Sequence, residues 1–526
     1  MMKRNSTVVT LLIAFLLFSF VCGSPNASYA ASTSGRDTIN LTLNQAVETL
    51  NPYRTTSLID IQLFCQLYET LFFLTETGAL EPRLAESYEI SGDGMTYTVK
   101  LRKDVKFHNG KNMTAEDVAW SLDFALKSGP YTHKRATLAN FDSARAIDEH
   151  TVEIKSTDKS AAFFYNLCIN GYILCKNEFL AAEEAKTTGI NWIPYGTGPY
   201  MVTSYSPDAE IKLQAFPDYY RGKARIDKVN FQILSDNNTI TVAFRSGELD
   251  FIVSPTASWP ILSTNKDYNS YLAPTSHTSF IHVNIHDNDA RSNKLVRQAM
   301  SYAMDREGMC IAAMDGIAQP AYSFFNPDTV FGGFTVQELE AAGIPSYQYD
   351  PEKAKALLAE AGYSNGLNLG RILTINSSYW EKMSTVFQAN LADIGITVGI
   401  ELADSAACRA RRKSQDYQFA TTGDNFIPDA GYSYVYFRYV TPEMKAQGMT
   451  TDLDLRDEVL DELFQKAMSE SNQETRRANY LEVNRKLQDE MYSIPTFHRA
   501  TPYVYHKDLV CSITPNFYYV YNFAWK

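Results

Sequence analysis

The stretch LAESYEISGDGMTYTVKLRKDVKFHNGKNMTAEDVAWSL (84–122) decides the fold. Within it, TYTVKLRKDVKF (96–107) puts Tyr97, Val99 and Leu101 on one face and Thr98, Lys100 and Arg102 on the other, the period of a half-buried strand. Asn109-Gly110 favours a tight turn. Thr114 with Asp117 then forms an S/T-x-x-D capping pattern, which opens a helix with Val118, Leu122 and Ala125 on one face. A strand, a turn and a capped helix in this order are the parts of an α/β unit.

The same alternation continues along the chain. VNFQIL (229–234) and ITVGIEL (396–402) read as strands. DPEKAKALLAEAGY (350–363) reads as a helix with Asp350 at the N-cap, Pro351 at the first helical position and Gly362 at the left-handed C-terminal position. A long helical region is expected over about 456–491, stopped by SIP (493–495). The class that fits is α/β with mixed sheets in more than one domain, because 526 residues exceed what one hydrophobic core supports.

The first thirty residues differ from the rest. Lys3 and Arg4 precede the apolar run LLIAFLLFSFV (11–21), and Ser28 and Ala30 give a small-x-small cleavage pattern. Residues 1–30 therefore read as a signal peptide, and the mature chain as extracytoplasmic. Lipid attachment at Cys22 is the alternative, disfavoured by the bulky Phe20 and Val21 before it. Loss of Lys3 and Arg4 takes the net charge from −12 to −14, which argues against nucleic-acid binding. No later segment reaches eighteen apolar residues, so a soluble product is expected.

Enzyme signatures are missing: the sequence holds no GxxxxGK[ST], HExxH or GxSxG. No catalytic residue, cofactor or metal site is expected. His282 and His286 in IHVNIH lie on a predicted strand, where i and i+4 are about 13 Å apart and cannot share one ion unaided. Cys168 and Cys175 are close enough to pair across a short loop, or stand as two buried thiols.

The stretch at 84–122, with GTGPY (196–200), IDKVNFQIL (226–234), SGELD (246–250), VRQAMSYAMDRE (296–307) and YDPEKAKALLAEAGY (349–363), resembles the extracytoplasmic solute-binding proteins of ABC importers, specifically the peptide, dipeptide and nickel-binding family 5. The stretches keep the family's order and cover most of the mature chain. The resemblance implies a periplasmic-binding-protein-like fold, with two lobes around a hinge of crossing strands and an extra inserted domain. Domain I would take 31–80, 195–275 and 499–526, domain II 81–194 and domain III 276–498.

Such proteins are not enzymes. They capture a solute, here a small peptide or peptide-like amine, and deliver it to an ABC permease, acting as monomers. Nickel or a metal chelate, with His498 or His277 as a ligand, and signal-peptide sensing are the alternatives on the same fold. A secreted hydrolase is a more distant one.

TGDNFIPD (422–429) is similar to the TGDN-x-x-PD segment of the dipeptide-binding branch, whose Asp pairs with the ligand's ammonium group. Carried over, Asp424 is the amine anchor, flanked by Thr422 and Gly423, because charge-assisted bonds to an ammonium both hold and orient it. The Arg by which that branch holds the ligand's carboxylate, after the strand here at 371–375, is absent; the chain reads INSSYWEK (375–382). The expectation is therefore an amine ligand stacked on Tyr379 and Trp380, with any carboxylate met by Arg409, Arg411 or backbone N–H groups.

Overall fold

The structure is a computed structural model. It describes residues 35–526 except 56, 76–79, 128–140, 188–191, 207, 328, 330, 426–429, 434–436, 438–441, 443–444, 446–450 and 515–516. The signal-peptide reading of 1–30 and the alternative at Cys22 lie outside the described residues.

A single large sheet runs through the molecule. In spatial order its strands are Ile396–Ala403, Leu367–Ile375, Phe419–Asn425, Tyr268–Val283, Ser493–His506, Phe251–Val253, Thr38–Leu43, Lys228–Ile233, Glu210–Ala215 and Tyr200–Ser206. Two of these are far longer than the rest. Tyr268–Val283 and Ser493–His506 pair antiparallel over both halves, Tyr268 with His506 at one end and His282 with Ser493 at the other. They carry the chain between the halves, and their register breaks between Pro274 and Thr278. Pro274 has no N–H to donate, so the ladder is weakest beside it.

A separate four-stranded antiparallel sheet holds the stretch that decided the fold. Thr96–Leu101 lies between Ala85–Ile90 and Thr151–Ser156, with Tyr97, Val99 and Leu101 buried as the alternation requires. The strand is shorter than expected, ending at Leu101 rather than 107. Arg102 turns to form a two-pronged ion pair with Asp104 at 2.8 and 3.0 Å, which closes a bend. The helix Ala115–Lys127 follows, and its Asp117 carboxylate accepts from the Thr114 N–H at 3.0 Å.

The three largest hydrophobic clusters among the described residues organise the layers. The first joins Ile39, Leu41 and Phe231 of the large sheet to Val99, Val118 and Ile154 of the four-stranded unit, so these pack as one body. The other two lie in the opposite half. One contains Met300, Phe387 and Ile396, the other Phe280, Phe324 and Tyr480.

Asp350 caps the helix Pro351–Glu360 by accepting from the Lys353 N–H, and Gly362 takes φ +90°. The region expected as one helix over 456–491 is two, Glu458–Ser469 and Gln473–Glu490. Asn472 caps the second by accepting from the Thr475 N–H, and Glu470 accepts from the Asn472 N–H, so the chain restarts there. Among the described residues no helix is long and apolar enough to cross a membrane.

Candidate functional site

Sheet order dictates where a crevice opens. From Leu367–Ile375 the chain passes through the helix Ser378–Asp393 to a parallel neighbour on one side, Ile396–Ala403. It then passes through the helix Ser405–Lys413 to Phe419–Asn425 on the other side. The direction of winding reverses at the junction of Leu367–Ile375 and Phe419–Asn425, and in open α/β sheets ligands bind outside the carboxyl ends of strands at such a reversal. Residues 376–379 and 422–425 are the chain at those carboxyl ends. Thr421 ties the two together, its hydroxyl accepting from the Ile375 N–H at 3.1 Å and donating to the Leu373 carbonyl at 3.4 Å.

The crossing strands border the same place. Where their register breaks, the Thr275 hydroxyl donates to the Arg499 carbonyl at 2.8 Å and lies 3.2 Å from the His277 N–H. His277 packs over Gly423 so closely that a Cβ there would lie 2.5 Å from the ring's Cε1. Burial first, then the charge of Arg499, holds the His277 imidazole well below its usual range, so it is neutral near pH 7. Its Nδ1 is buried and has no hydrogen-bond partner among the described residues.

Arg499 is half-buried, with its guanidinium carbon 5.3 Å from the centre of the Tyr379 ring. Burial pushes the Tyr379 hydroxyl up to about 12, opposed by Arg499. The structure thus brings together Tyr379, Gly423, His277 and Arg499.

The residues named from sequence divide. Asp424 sits opposite Thr278 on Phe419–Asn425, while its side chain lies outside the described part of the chain. Thr422 pairs with Phe280 and Gly423 with Ser279 in the same ladder. Tyr379 is half-buried at the start of its helix, but Trp380 is 6% exposed and belongs to the core with Met383 and Phe387. It follows Tyr379 by one position, which turns it to the inner face of the helix.

Arg411 is committed to Glu401 at 2.6 Å and Asp416 at 2.9 Å, and Arg409 is exposed on the same helix. His498 is buried and bonded to the Thr278 hydroxyl at 2.9 Å, and burial holds its ring down to about 3. His282 bonds Ser493 within the strand, whereas His286 lies beyond the strand end on the Leu453 carbonyl. Cys175 is a free thiol 2.7 Å from Glu178, so the pair with Cys168 is not formed.

Sequence reasoning missed Arg499. The run TFHRATPYVYH (496–506) holds the available signal, a lone arginine inside a mostly buried strand.

The sequence profile of the bacterial extracellular solute-binding proteins, family 5 (middle region), matches residues 79–445. The chain belongs to this family. It is 31% identical over 361 residues to the glutathione-binding protein GsiB of Escherichia coli K12, an alignment covering 68% of each chain. The family 5 fold is matched by the solved structure of HbpA2 from Haemophilus parasuis, with a TM-score of 0.81, 24% identity, and coverage of 93% of this chain and 100% of that one. A dipeptide-binding protein from Pseudoalteromonas sp. SM9913, solved with Met-Leu, matches with a TM-score of 0.76, 21% identity, and coverage of 93% and 100%. Family 5 membership makes the protein a solute-binding protein of ABC transporters built as two lobes around crossing strands.

Proposed function

We propose that the protein, exported by residues 1–30, captures a small peptide-like amine at the winding reversal and delivers it to an ABC permease. One observation carries this reading. The TGDN segment that resembles an amine-binding element lies at the carboxyl end of the strand Phe419–Asn425, beside the reversal where a ligand crevice opens.

Asp424 is the amine anchor in this reading, and Gly423 lets the His277 ring close against the strand beside it. Tyr379 supplies a flat wall. A carboxylate facing an ammonium in a cleft shielded from water gives a strong, oriented contact. Binding drives closure only through tighter contact in the closed form, which is what a permease would distinguish.

The relatives named for glutathione and Met-Leu binding suggest the probes. Calorimetric titration of glutathione and Met-Leu into wild type and the Asp424→Ala variant tests the reading. The expected result is binding of at least one probe, weakened about 10- to 100-fold in the variant, the range for losing a charged partner. Equal affinity in both proteins would remove Asp424 from the site.

A further inference from the structure

We propose that Arg499, on the second crossing strand, is the carboxylate anchor of the ligand site and makes the receptor selective for solutes with a free acid group. This rests on the peptide-like reading above and adds the half of the ligand that the sequence left unprovided.

Five other buried or half-buried arginines of this half are held by protein partners. Arg291 pairs with Asp287 and Asp289, Arg297 with Glu490, Arg411 with Glu401 and Arg412 with Asp452. Arg306 is fully buried and spends its guanidinium on the carbonyls of Pro495, Ser301 and Tyr347. The fold thus satisfies each of these guanidinium groups. Arg499 differs: it is half-buried, and among the described residues it has neither an ion pair nor a side-chain hydrogen bond, only the face of Tyr379. A guanidinium drawn partly out of water and left with its five donors unused is costly unless something else satisfies them.

Its surroundings favour an anion. Tyr379 lies in the first turn of the sixteen-residue helix Ser378–Asp393, whose N-cap Ser377 makes no side-chain cap bond. The first N–H groups of that helix have no partner within it and carry partial positive charge. His277, neutral and with Nδ1 unpaired, borders the same space. A carboxylate accepts two parallel bonds from a guanidinium, which fixes its plane as well as its position.

The missing arginine after Leu367–Ile375 is therefore replaced from a different element, one that belongs to the hinge.

Calorimetric titration with four probes, Met-Leu, its C-terminal amide, glutathione and glutathione amidated at glycine, against wild type, Arg499→Gln and Arg499→Lys tests this, with circular dichroism confirming that each variant is folded. Wild type should bind an acid at least 10-fold more tightly than its amide, Arg499→Gln should bind the two equally, and Arg499→Lys should keep part of the preference. Equal wild-type affinity for acid and amide, or a preference that survives in Arg499→Gln, overturns the role of Arg499 while leaving the amine reading intact. Binding of none of the four probes by wild type rejects the peptide-like reading and the Arg499 role with it.

Discussion

At the scale of single residues, the proposed site depends on one atom that is missing. Gly423 has an ordinary backbone conformation, so its requirement is steric: an added Cβ meets the His277 ring at 2.5 Å and 2.7 Å. Gly423→Ala should therefore displace His277, destabilise the protein by about 1–3 kcal/mol in urea unfolding, and weaken ligand binding. Asp60, in the first turn of the helix Leu58–Leu67, carries a second residue-scale consequence. It is fully buried, its Oδ2 has no hydrogen-bond partner among the described residues, and burial pushes its carboxyl up to about 6 against the stabilising contact of Thr55. The folded chain then holds a proton that the unfolded chain has released. Its stability contribution is complete below about pH 4 and is lost as pH rises through about 6. Asp60→Asn should flatten that decline and exceed wild type by about 1–2 kcal/mol above pH 7, measured by urea unfolding across the range. A variant with the same pH slope as wild type would show that Asp60 is not the group responsible.

At the scale of elements, what was legible in the sequence was local. Asp350, Pro351 and Gly362 specify both ends of one helix through their own backbone and side chains, so the element Pro351–Glu360 was readable without knowing its neighbours. Asp350→Ala should cost about 1 kcal/mol in denaturant unfolding, the usual value of an N-cap. The break at 470–472 was not readable, because Asn472 caps a helix only if the preceding turn has already ended. The two halves of the proposed site differ in the same way. TGDN announces itself within four residues, whereas Arg499 has meaning only through Tyr379 and His277, which are over a hundred positions away in sequence. Trp380 and Arg411 show the converse: suitable residue types were nominated through the resemblance, but one fills the core and the other holds its own helix to Glu401 and Asp416.

At the scale of the whole molecule, the four-stranded unit reaches across to the far half. Tyr165, on the helix Ala161–Asn170, meets the Phe331 ring edge-on with centroids 4.9 Å apart, and the Arg476 guanidinium lies 4.5 Å from the centre of Phe331. Separating the lobes at this contact would expose both rings. Tyr165→Ala should shift the unliganded protein toward open forms, raise its radius of gyration in small-angle scattering, and weaken binding several-fold without touching the crevice. An unchanged scattering curve and unchanged affinity would mean that closure does not depend on this contact. The account as a whole holds that the crevice between the lobes receives a small solute with an amine at one end and an acid at the other. Native mass spectrometry of protein purified without denaturation tests this most directly: the expected result is a bound species with the mass of a di- or tripeptide-like compound, and a bound sugar or metal chelate in its place would contradict it.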